Sequence, residues 1–167
     1  MGYTHYWSYT PQAEGFRAAW LQLQLDAAAI IDFVQRQDVQ LAGGDGTGAP
    51  RIDDGAIRFN GRQADGDDYE TFSIDLNPHR PREREESGFF WEFCKTGERP
   101  YDMAVTAVLL RAHTLAPDFF AIQSDGDWDS DWLEARAIHR ILFGDPGMAD
   151  PFTDTTQGPR AARTPVG

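Results

Sequence analysis

Lysine is almost missing from this sequence: of fifteen basic residues in 167, only Lys95 is a lysine. Runs of basic residues are missing too. The nearest, HRPREREE at 79–86, interleaves its arginines with glutamates. With a formal net charge of −12, the chain lacks the phosphate-neutralising surface on which nucleic-acid affinity mainly rests, and nucleic acid is disfavoured as a partner. The single cysteine, Cys94, excludes an internal disulfide and a thiolate metal cluster. No apolar run approaches the ~18 residues that cross a bilayer. The chain does not open on a basic-then-apolar signal segment. MGYTHY resembles a myristoylation signal but carries Tyr6 where Ser or Thr is needed. A soluble cytoplasmic protein with no membrane partner is the expectation.

Aromatic residues are what this chain has in quantity: eleven Phe, five Trp and five Tyr, enough to build one substantial core. Its length suits one domain. Residues 2–9 alternate as a strand, with Tyr3, His5, Trp7 and Tyr9 on one face. Thr10-Pro11 reads as an N-cap followed by a helix-starting proline, and Phe16, Trp20, Leu23, Ile30, Ile31 and Val34 carry a helical period to about residue 37. A short strand around 39–41 and a glycine-rich loop at 42–55 are followed by AIRFNG (56–61) and YETFSIDL (69–76) as a hairpin. An irregular, charged loop around Pro78 and Pro81 leads to a strand at 88–96. From Pro100 runs a second helix, apolar around most of its circumference and therefore central. A strand at 118–123 and a helix ended by Gly144 complete a domain of residues 1–144. Residues 145–167, rich in Pro, Gly and Thr, are expected to form a disordered tail. This order predicts an α+β fold: one mostly antiparallel sheet of five to six strands packed by two to three helices.

Three constellations carry chemistry. SDGDWDSDW (124–132) alternates aspartates like oxygen ligands, yet both EF-hand registers fail. Starting at Asp125, Ser130 and Arg136 stand where Gly and Glu are required; starting at Asp127, Trp132 and Ile138 do. A turn at Asp125-Gly126 and a capping box from Asp131 to Glu134 explain the pattern better, leaving Asp125 as a weak candidate for a divalent cation. CKTGERPYD (94–102) gathers Lys95, Thr96, Arg99, Tyr101 and Asp102 where a strand meets a helix N-terminus, a natural place for an anion. Its spacing is not that of a P-loop. His5, beside Tyr3, is the side chain most readily tuned for proton transfer and faces this loop if the first strand is central. His5 and Asp102 are the catalytic candidates; Tyr3, Lys95, Thr96, Arg99 and Tyr101 are the ligand-binding ones. Cys94 on a packed strand reads as inert, and no Ser-His-Asp order is legible.

The segments MGYTHYW, FCKTGERPYDMAVTAVLL and SDGDWDSDWLEAR resemble a family of small proteins of bacteria, their phages and some fungi. That resemblance implies no activity, and no catalytic residue is carried over from it. The function expected is a non-enzymatic ligand-binding or protein-interaction module, an accessory protein of a phage or mobile element, taking a small anionic ligand or a protein partner. The alternative is a hydrolase or transferase acting on a phosphate-containing small molecule, with no cofactor evident beyond a divalent cation at Asp125.

Overall fold

Alternation along Thr4–Tyr9 makes the first strand, β1, and the two-residue side-chain period decides everything packed against it. His5, Trp7 and Tyr9 are buried on one face; Thr4 and Ser8 are buried on the other. The computed structural model describes residues 2–78, 88–145 and 147–163. The elements following β1 are α1 (Glu14–Arg36), β2 (Leu41–Ala42), β3 (Arg51–Ile52), β4 (Ala56–Gly61), β5 (Phe72–Asp75) and β6 (Phe90–Lys95). They are completed by α2 (Asp102–Leu115), β7 (Phe120–Ser124) and α3 (Leu133–Phe143). The class is α+β, with three α-helices and antiparallel strands among the described residues. The charged loop expected around Pro81 lies, over 79–87, outside the described residues.

The strands form two sheets rather than one. The first has the order β6-β1-β7, with β1 in the middle, and the second has the order β2-β4-β3 with β5 also on β4. The hairpin of β4 and β5 forms as expected, pairing Ile57 with Ile74 and Phe59 with Phe72. β6 does not continue that sheet. It joins β1, where Phe90 and Cys94 meet Tyr9 and His5 on the buried face. Its aromatic set Trp91 and Phe93 therefore points to the outer face, and Phe93 stays exposed.

α1 buries the stripe predicted from its period, Phe16, Trp20, Leu23, Ile30, Ile31 and Val34, and with it Asp26 and Ala27. Its start differs. Thr10 N–H pairs with Phe119 O (3.2 Å), carrying the pairing of the strand one residue past Tyr9, and the helix begins only at Glu14, so Thr10 is not its cap. Pro11 sits in a turn, and Ala13 is the uncapped N-cap. α2 is buried from Ala104 to Leu110, as expected of a central helix. A polar clamp joins the three helices. Arg111 of α2 donates to Asp26 of α1 (2.7 Å) and to His139 Nε2 of α3 (3.2 Å), while its guanidinium lies over the Phe143 ring. His139 Nδ1–H is thereby committed to Gly144 O (2.9 Å); burial and the neighbouring Arg111 favour the neutral imidazole, while the bond to Gly144 acts the other way.

Residues 147–163, expected as a disordered tail, are ordered against the first sheet. Thr153 N–H bonds Ile122 O, and Thr155 is fully buried between Gln123 and Trp91. The apolar anchor is Phe152, whose ring packs 5.0 Å from Trp132 and 5.8 Å from Trp128. One large aromatic inside a Pro/Gly/Thr-rich stretch suffices to tie it down.

Burial is the main cause that depresses the pKa of both His139 and His113, with Arg111 and Arg160 respectively adding to it. The unfolded chain therefore takes up these protons first as pH falls. Their contribution is complete above the unfolded value of about 6.5 and is lost as pH drops through the folded values. Urea unfolding should give a smaller free energy at about pH 5.5 than at about pH 7.5, and the pair H113N/H139Q should flatten that difference.

Candidate functional site

A buried imidazole has two nitrogens to satisfy, and an unmet one is costly in a dry core. His5, 0% exposed on the central strand, meets both demands with side chains from distant elements. Nε2 lies 2.6 Å from Asp102 Oδ1 at the start of α2, and Nδ1 lies 2.8 Å from Ser124 Oγ at the end of β7. The tautomer follows from Ser124. Its oxygen already accepts from Gly126 N–H (2.8 Å) and Trp132 Nε1–H (3.0 Å), so its own proton goes to His5 Nδ1. His5 then donates through Nε2–H to Asp102. The rings of Tyr3 and Trp132 stand edge-on to the imidazole at 5.0 and 5.4 Å.

Asp102, His5 and Ser124 thus form a hydrogen-bonded row of the residue types used by serine hydrolases, which the sequence did not reveal. It does not make a nucleophile. Both lone pairs of Ser124 Oγ are taken by N–H donors, and the base beside it has no route to water. The row is a structural tie between β1, β7 and α2.

Asp102 is where this interior reaches the surface. Its Oδ1 accepts from His5 and from Thr96 Oγ1 (2.6 Å), and the side chain remains 20% exposed. It lines a cleft of about 310 Å³ together with Tyr3, Val39, Glu98, Arg99, Pro100, Met103, Asp131 and Glu134. Glu98 is brought there by a tight turn. Arg99 N–H bonds Thr96 O, and both central residues, Gly97 (φ 57°) and Glu98 (φ 58°), adopt the left-handed conformation. For a glutamate that conformation is strained. Burial, then the carboxylates of Asp102 and Asp131, push the Tyr3 phenol above its ordinary pKa, while Ser124 acts the other way. Four carboxylates and one guanidinium make the cleft acidic. That guanidinium already lies over the Tyr69 ring, 5.2 Å from its centre.

Of the residues chosen from sequence, Tyr3, Arg99 and Asp102 line the cleft, and His5 and Thr96 stand behind it. Three lie elsewhere. Lys95 pairs with Thr4, one step along from the His5–Cys94 pair, so alternation turns it to the outer face beside Gly2. Tyr101 is fully buried with its hydroxyl on Glu70 O (2.6 Å) and holds core rather than ligand. Asp125 accepts from Thr4 N–H (3.1 Å) and Tyr6 Oη–H (3.2 Å), closing the β1–β7 edge. Cys94 is inert: burial pushes its thiol up to about 12. The capping box from Asp131 to Glu134 does not form. Asp131 Oδ2 instead accepts Asp127 N–H (2.7 Å), and Asp127 O accepts Asp131 N–H (2.9 Å), a reciprocal lock. Among the described residues no group of three or more His, Cys, Asp or Glu is placed to hold a metal ion.

Ser124, Glu98, Asp131 and Glu134 were missed. For Ser124 there was a signal, since it extends the buried face of Phe120 and Ile122 with a polar side chain. A larger cavity of about 640 Å³ opens at the far end of β1. Among the described residues its lining has no ionisable side chain. No known family model, curated protein or solved structure matches this chain, so its function rests on this geometry alone.

A Cβ at position 126 would stand 2.2 Å from Tyr3 Oη and 3.0 Å from Asp131 Cβ. Gly126→Ala should therefore cost about 2 kcal/mol in urea unfolding, and adding Tyr3→Phe should recover part of it.

Proposed function

We propose that this chain is a non-enzymatic binding module whose acidic cleft takes a cationic group, an ammonium or guanidinium, rather than the small anion expected from sequence. The observation that carries this reading is the division of labour around Asp102. The groups suited to catalysis, His5 and Ser124, are consumed inside the protein, while the carboxylate they orient faces the cleft beside Glu98, Asp131 and Glu134. A carboxylate held in place by buried partners loses little freedom on meeting a cation. The hydrolase or transferase alternative needs Lys95 beside Arg99 to hold phosphate, and Lys95 stands on the other face.

The test is a nuclear magnetic resonance titration of the full chain with N-acetyl-argininamide and, separately, with ATP. Amides of residues 97–103 and 126–134 should shift with the guanidinium compound and not with ATP. Asp131→Asn with Glu134→Gln should weaken binding about tenfold, and added salt should weaken it further. A response to ATP alone, or to neither compound, would sink the proposal.

A further inference from the structure

A second cleft, of about 200 Å³, lies at the junction of the two sheets and is lined by Trp7, Arg58, Thr71, Ser73, Asp75, Glu92 and Phe93. Register explains the gathering. Arg58 pairs with Ser73 on the β4–β5 hairpin, and alternation brings Thr71 and Asp75 to the same face. Across the junction, Trp7 pairs with Glu92, and Phe93 closes the side. Two features here are unexplained by folding. Trp7 is 1% exposed, yet its indole Nε1–H has no hydrogen-bond partner, and buried donors are rarely left so. Arg58 enters none of the ion pairs formed among the described residues. Asp75, of opposite sign, accepts the Ser73 hydroxyl at Oδ1, at 3.2 Å, and enters no ion pair among the described residues.

These groups discriminate between ligand classes. A simple anion would meet Arg58 and the indole but also the Asp75 carboxylate. A simple cation would meet Asp75 but leave Arg58 and the indole unanswered. We propose that this cleft binds a small zwitterionic α-amino acid. Its carboxylate is held between the Arg58 guanidinium and Trp7 Nε1–H, its ammonium by Asp75, and its side chain against the Phe93 ring. The Arg58 side chain is exposed and so can turn to meet the incoming carboxylate. This site is separate from the acidic cleft and stands or falls independently of it.

The indole N–H itself is the reporter. In the ¹⁵N-labelled full chain, the Trp7 resonance is assigned with Trp7→Phe, or by its proximity to the Phe72 ring 5.1 Å away if that variant does not fold. L-Alanine, titrated to roughly 20 mM so that even a millimolar site saturates, should move this resonance saturably. Acetate and methylammonium at the same concentration should leave it in place. Arg58→Ala, at an exposed position, should weaken the response about tenfold. No movement with alanine overturns the proposal, and equal movement with acetate overturns the zwitterion as the class recognised.

Discussion

A histidine on the middle strand of a buried sheet has to be hydrogen-bonded at both nitrogens by protein, because no water reaches it. That constraint organises this molecule. His5 sits between β6 and β7, and its two partners come from the first residue of α2 and the last of β7. Satisfying one side chain thus fixes where a helix begins and where a strand stops. Ser124 relays the constraint to Gly126 and Trp132, so the acidic loop and the start of α3 are positioned by the same row. Asp102 relays it to Thr96, whose backbone N–H returns to Tyr3 O. The walls of the acidic cleft are the outer members of this network.

Electrostatics then separates the two faces of β1. On the inner side, the polar atoms of the His5 row are paired and buried, and its carboxylate, Asp102, meets solvent. On the outer side, Lys95 and Asp125 flank Thr4, and Asp125 closes the strand edge. A basic residue one position away along β6 would have faced the inner side with His5; at position 95 it does not. The acidity of the cleft is therefore a consequence of strand register, and it runs with the −12 charge of the whole chain.

Much of the fold was legible because it is local. The alternation of AIRFNG matches β4 to the residue, and the helical stripe of α1 is buried as its period requires. The legible part of the site was likewise local: Tyr3, His5, Thr96, Arg99 and Asp102 all fall in or behind the cleft. What failed was non-local. Nothing in the chain says that β6 leaves the hairpin to pair with β1, and that choice decides the face of Lys95. Thr10 has the chemistry of a cap but is held in the strand by Phe119, 109 residues on. Phe152 gives order to a stretch whose composition argues for disorder, through tryptophans on another element. Ser124 joined the row through register, not through any motif spacing.

The central claim is that His5 is a closed structural tie with a set tautomer, and long-range ¹⁵N–¹H correlation of its ring measures this directly. The ring should show a neutral imidazole protonated at Nε2, with that proton exchanging no faster than the amides of β1. A proton on Nδ1, or rapid exchange with water, would contradict the account, because His5 would then be open to a ligand and Ser124 free to act.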